Sequence, residues 1–196
     1  MKKIINKYRQ NLNWSIIDIQ GSNFYQIVSD DLRKEHHLYH PPVARKIEYL
    51  HELCHAKLAE DNCVLFSTSY FSPDSVNVGG CAVFFNIATD WFVDYELHKI
   101  CPEESKKSIR EMMAHISHVN DPVISGFTSA QVKKYLGEHF SSYGVGNKVR
   151  EILLDINPEA ETSNLETLIR RLISLVGYTA KIEFRERPVW VVRKTI

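Results

Sequence analysis

The sequence has no surplus of either charge. Its 24 Lys and Arg face 24 Asp and Glu, so the chain exerts no global pull on nucleic acid or an anionic membrane. It also has no apolar stretch near the roughly 20 residues that a spanning helix needs, and no membrane association is expected. The N-terminus, MKKIINKYRQNLNW, starts with basic residues, but Ile4-Ile5 is too short for the apolar core of a secretion signal. Cysteine is scarce: Cys54, Cys63, Cys81 and Cys101 form no CxxC pair, and 196 residues can build a core without disulfide staples. Reduced, buried thiols in a cytoplasmic protein are the expectation.

What is present is ordinary globular composition, 44% hydrophobic and 24% charged, with a readable order of elements. Residues 14–19 (WSIIDI) and 24–28 (FYQIV) read as strands around the turn Gly21-Ser22-Asn23, hence as a hairpin. The stretch 30–40, with His36, His37 and His40, reads as a polar loop. A helix is expected from about Pro42 to Ala59, because Ile47, Leu50, Cys54 and Leu58 recur at helical spacing. Residues 63–69 (CVLFSTS) read as a strand and 72–80 as a loop. Helices follow at 84–100 and 103–118, and Asp121-Pro122 with Ser125-Gly126 marks a boundary. Beyond it, helices are expected at 129–140 (capped by Thr128 or Ser129), 147–156 and 163–176, the last opened by a capping box at Ser163. Two strands at 180–184 and 189–193 complete the chain. Three helices and a hairpin is the order of a winged helix.

The residues that carry chemistry are His51-Glu52-Leu53-Cys54-His55. Residues four apart share a helix face, so His51 and His55 aim both imidazoles at one point, with Glu52 beside them. Zinc suits this pattern: imidazole is a good ligand, and an open position leaves room for water. Given nine His in the chain, HExxH arises by chance only about 0.03 times in a sequence of this length. Cys54 falls on the other side of the helix and reads as core. A third ligand is needed, and Asp90-Trp91-Phe92-Val93-Asp94 offers one. Asp90 and Asp94 are four apart among apolar residues, so Asp90 could ligate while Asp94 accepts a hydrogen bond from a ligand histidine. Asp94 and Glu96 remain alternative ligands.

HExxH followed by an acidic-x-x-x-Asp helix resembles the gluzincin metallopeptidases, and most of all the small cytosolic peptidases of the ImmA/IrrE type. The resemblance covers roughly residues 47–102. It departs from the pattern at Asp90, where the family has glutamate. It implies an α+β fold with a zincin-like domain (residues 1–126) of a small sheet, the HExxH helix and a second ligand-bearing helix; the order of later elements adds a helical, winged-helix-like region (127–196). The resemblance also implies Zn2+ held by His51, His55 and Asp90, with Asp94 behind them, and Glu52 as general base in the hydrolysis of a protein or peptide substrate. Tyr70, Tyr95, His98 and His115 are candidates to steady the developing oxyanion, and an edge strand could bind the substrate in extended form.

The alternative is a DNA- or protein-binding regulator with a structural or inactive zinc site. Residues 128–196 hold eleven Lys and Arg against eight Asp and Glu. Arg170 and Arg171 on the third helix, and Arg185 and Arg187 on the hairpin, occupy positions that face DNA in a winged helix. The excess is small for phosphate binding.

Overall fold

His36, His37 and His40, expected in a solvated loop, stand on the central strand of a sheet. The computed structural model describes residues 1–116 and 120–195, in a mixed α+β arrangement. After α1 (Lys2–Gln10), strands β1 (Ser15–Gln20), β2 (Gln26–Asp30) and β3 (Glu35–His40) form a sheet in the order β1-β3-β2. β1 runs parallel to β3, and β2 antiparallel to it. The expected β1–β2 hairpin is therefore replaced by a crossover at Gly21, whose φ of +103° favours glycine, and by a tight β2–β3 turn. In that turn Asp30 Oδ1 accepts from Leu32 N and Arg33 N.

The hairpin reading failed because histidine counts as polar, whereas a neutral imidazole with both nitrogens engaged can be buried. His36, fully buried, takes a 2.7 Å hydrogen bond from the Ser29 hydroxyl at Nδ1 and donates from Nε2 to Glu60, 3.0 Å away. Glu60 closes the other end of this network. Its side chain is only 2% exposed and accepts from Asn13 N (2.8 Å), Trp14 N (2.7 Å) and His36, fastening the start of β1 and the middle of β3 to one helix.

That helix is α2 (Lys46–Asp61), which starts four residues after Pro42. It is buried on more than one side. Leu53 and Ala56 pack on Ile27 and Leu38 of the sheet, while Leu50, Cys54 and Leu58 join the main core. The centre of that core is α3 (Val78–Ile100), with Phe85, Trp91 and Phe92 fully or nearly fully buried. Residues 63–69 are not a strand. A single 3-10 turn, Val64–Phe66, is followed by a segment that bonds to the C-terminal hairpin: Trp190 N donates to Tyr70 O, and Ser72 N to Trp190 O.

α4 (Pro102–Ile116) follows; His118, the expected end of this helix, lies outside the described residues. α5 (Pro122–Gln131) begins earlier than expected because Asp121 caps it, accepting from Val123 N and Ile124 N. Thr128 and Ser129, read as its cap, are buried inside it and bond to the Ile124 and Phe140 carbonyls. A wide π-type turn, Val132–Leu136, ends this segment. Then come α6 (Val145–Asp155), α7 (Thr162–Ser174) and the hairpin β4 (Tyr178–Phe184) and β5 (Pro188–Lys194). Ser163 does not cap α7, whose N-cap position is Glu161. One buried cluster takes Leu50, Cys54 and Trp91 from before residue 126, and Phe127, Leu153, Leu168 and Trp190 from after it. Among the described residues no helix is long and apolar enough to cross a membrane.

Two predictions test this packing. α5 and α6 approach so closely that a Cβ on Gly126 would stand 2.3 Å from the Gly146 carbonyl oxygen. Because backbone cannot yield as a side-chain tip can, Gly126→Ala should destabilise the chain by about 2 kcal/mol or more in a denaturant titration. Glu60→Gln should cost about 1–3 kcal/mol at neutral pH, since one carboxylate oxygen's worth of acceptors is lost. Burial pushes the Glu60 pKa up, but the backbone donors and His36 outweigh it and hold the carboxyl below its ordinary 4.5. The unfolded chain therefore takes up this proton first. The Glu60 contribution is complete above about pH 4.5 and fades as pH falls through the lower folded value. The gap between wild type and Glu60→Gln should accordingly narrow in melts at pH 3.

Candidate metal centre

α2 and α3 pack side by side, and the residues on their facing turns decide what lies between them. His51 and His55 are one turn apart on α2, and Asp90 faces them from α3. His51 Nε2 and His55 Nε2 are 3.2 Å apart, and Asp90 Oδ1 lies 3.1 Å from His55 Nε2 and 3.6 Å from His51 Nε2. These three atoms form the chain's one group of His, Cys or carboxylate ligands clustered tightly enough for a metal ion among the described residues. Tetrahedral bonds of about 2.0–2.2 Å put neighbouring ligand atoms about 3.3–3.5 Å apart. The observed triangle has those edges to within a few tenths of an ångström, so the donor set fits zinc in both type and size.

The second nitrogen of each ring is held. His55 Nδ1 donates to the Phe66 carbonyl at 2.6 Å, and His51 Nδ1 lies 3.3 Å from Asp94 Oδ1. A carbonyl or carboxylate can only accept, so each ring holds a proton on Nδ1 and presents Nε2 to the cluster, where a metal ion would have to displace any proton shared with Asp90. Asp94 is fixed in turn by Gln131, whose Nε2 donates to Asp94 Oδ2. Asp94 thus meets the far side of His51, and Glu96 turns away to pair with Lys99 at 2.9 Å. Of the three acids left open by the sequence, Asp90 alone reaches the Nε2 atoms.

Charge binds the cluster tightly when no cation is present. Burial opposes a proton on His51, yet hydrogen bonds and charge from Asp90 and Asp94 outweigh it and raise its pKa well above the ordinary imidazole value. Burial also pushes Asp90 up, but bonds from His51 and His55 hold it below the usual carboxylate range.

Glu52 is buried to 8% exposure, and among the described residues its carboxylate makes no hydrogen bond or ion pair. It lines a cleft of about 390 Å³ with His51, His55 and Asp90, walled on one side by Tyr25, Gln26 and Ile27 at the edge strand β2. A second cleft of about 370 Å³ opens on the other side of His51 and Asp90, between α2, α3, α4 and α5.

The other sequence candidates lie elsewhere. Tyr70 donates to Ser29 O, Tyr95 pairs with Glu159, and His98 stacks on Tyr135; only His115 lines a cleft beside the cluster. Arg171 is bound to Asp155 at 2.7 Å, Arg185 to Glu183 at 3.0 Å, and Arg187 to Asp30 and Asp31 while stacking over Tyr70. Arg170 is exposed on α7. The Phe66 carbonyl and Gln131 were missed. A backbone carbonyl has no sequence signal, and Gln131 is 37 residues from the acid it holds.

Asp94→Asn should weaken any divalent metal ion held by this group about 10–100-fold in chelator competition, by removing the charge behind His51. Because a metal ion would have to displace the His51 proton, metal affinity should fall as the pH is lowered. Searches against protein-family models, curated proteins and solved structures return no significant match for this chain.

Proposed function

We propose that the chain is a zinc-dependent metallopeptidase, in which His51, His55 and Asp90 hold the ion and Glu52 is the general base. The observation that carries this reading is the triangle of two Nε2 atoms and one carboxylate oxygen, at tetrahedral spacing, with the Glu52 carboxylate, unpaired among the described residues, on the cleft beside it. The Glu52 carboxylate lines the cleft, where no side chain of the described residues competes for it and water can reach it. Zinc, when bound, supplies Lewis acidity, which acidifies water and polarises a carbonyl.

The remaining work falls to residues of the chain. Asp94 and the Phe66 carbonyl fix the two imidazoles. Glu52 removes a proton from water in the cleft and delivers it to the leaving amine. β2 is an edge strand whose Gln26 is exposed on the cleft wall, so it can receive a peptide in extended form. That role falls to β2 among the segments that the sequence nominated. The helix α2 over a small sheet, with α3 opposite, supports this reading. Ion pairing of Arg171, Arg185 and Arg187 gives the alternative, a DNA-contacting regulator, little basic surface to use.

Purified protein should carry one zinc per chain by mass spectrometry of metals, and His55→Ala and Asp90→Ala should lose it. Glu52→Gln should retain the zinc yet cut the cleavage of a mixed peptide library by at least about a hundredfold. A folded wild type that cannot be loaded with zinc would overturn the proposal.

A further inference from the structure

The residues that the sequence nominated for the oxyanion, Tyr70, Tyr95, His98 and His115, do not line the cleft that holds Glu52. That cleft still needs a donor. When water attacks a scissile carbonyl, the π pair of the C=O bond moves onto its oxygen. The new charge grows beside two carboxylates, Glu52 and Asp90, in a cleft whose lining contains no Lys or Arg. A neutral N–H or O–H group facing the cleft would have to steady it.

Tyr25, Gln26, Ser67, Asn86 and Thr89 line the cleft and carry such groups. Thr89 spends its proton on the Phe85 and Asn86 carbonyls, at 3.2 and 2.9 Å. Ser67 has the Val64 carbonyl and the Thr68 hydroxyl at 3.4 and 3.3 Å. The Tyr25 oxygen is tied to Arg45 N, six residues before His51 and so about 9 Å from it along the axis of α2. Gln26 belongs to β2, the strand on which the peptide would lie.

Asn86 differs from these four. It is exposed, and its side-chain amide has no hydrogen-bond partner among the described residues. It stands one turn before Asp90 on α3. Helical side chains lean towards the N-terminus, so Asp90 leans towards the turn that carries Asn86. Residues four apart have Cβ atoms about 5–6 Å from each other, which brings Nδ2 within reach of an atom held beside Asp90. The Asn86 carbonyl is itself fixed by Thr89, so the amide projects from ordered helical backbone, as pre-organised stabilisation requires.

We propose that Asn86 is a catalytic residue, whose Nδ2 donates to the oxygen of the scissile carbonyl as negative charge develops there. The proposal rests on the metallopeptidase reading, because it needs a carbonyl held beside Asp90.

The test compares two probes by calorimetry on the full-length, zinc-loaded protein. N-phosphorylleucinamide presents tetrahedral, negatively charged oxygens, whereas acetohydroxamic acid chelates through a planar group. Asn86→Ala should weaken the phosphoramidate about 10–100-fold, the effect of one hydrogen bond to a charged acceptor, and leave the hydroxamate within about twofold. It should also cut cleavage of a mixed peptide library by about a hundredfold, with zinc content unchanged. Alanine suits an exposed helical position, so this variant should fold. Gln26→Ala should keep the wild-type ratio of the two affinities. The inference is overturned if Asn86→Ala binds both probes as wild type does, if Gln26→Ala alone changes the ratio, or if wild type binds the hydroxamate and not the phosphoramidate. If no zinc loads and neither probe binds, the metallopeptidase reading itself fails, and this inference falls with it.

Discussion

Two imidazole nitrogens and a carboxylate oxygen, drawn to within 3.6 Å of one another from two helices, are the constraint around which the chain is organised. Polar groups come that close in a protein interior only if packing holds them and a proton or cation is shared among them. α2 and α3 provide the packing. Leu50 and Cys54 on one helix, and Phe85, Ala88 and Phe92 on the other, belong to one buried cluster, so the helices cannot part without exposing it. The cluster also reaches α7 and β5, which is how the C-terminal third of the chain supports a site made of residues 51–94.

Around this centre, several buried polar groups are fixed by partners remote in sequence. His55 is oriented by a carbonyl from the 3-10 turn, His51 by Asp94, and Asp94 by Gln131 at the end of α5. On the far face of α2, Glu60 repeats the logic with His36 and the amides of Asn13 and Trp14. Hence one helix carries a structural carboxylate that is fully bonded and another, Glu52, that is not. The contrast between the two is the strongest sign of which acid is free to act.

Much of this was legible where physics is local. A helical period put Leu50, Cys54 and Leu58 in the core and aligned His51 with His55; a spacing of four likewise set Asp90 and Asp94 on one face of α3. The C-terminal hairpin, expected from strands at 180–184 and 189–193, is found at Tyr178–Phe184 and Pro188–Lys194. Residues 63–69 were misread because a short apolar run does not distinguish a strand from a buried turn. His36 was misread because its burial depends on partners such as Ser29 and Glu60, which local patterning does not reveal.

The sequence by itself determined the two ligand-bearing helices and their candidate ligands, since i and i+4 geometry needs nothing beyond the helix. It favoured Asp90 and left Asp94 and Glu96 open as alternatives. Only the tertiary structure distinguished them, by turning Asp90 to the Nε2 atoms, Asp94 to the far nitrogen of His51 and Glu96 to Lys99. The order β1-β3-β2 and the link from Gln131 to the site were likewise decided by long-range packing, because strand pairing and buried hydrogen bonds join segments that carry no mark of one another in the chain.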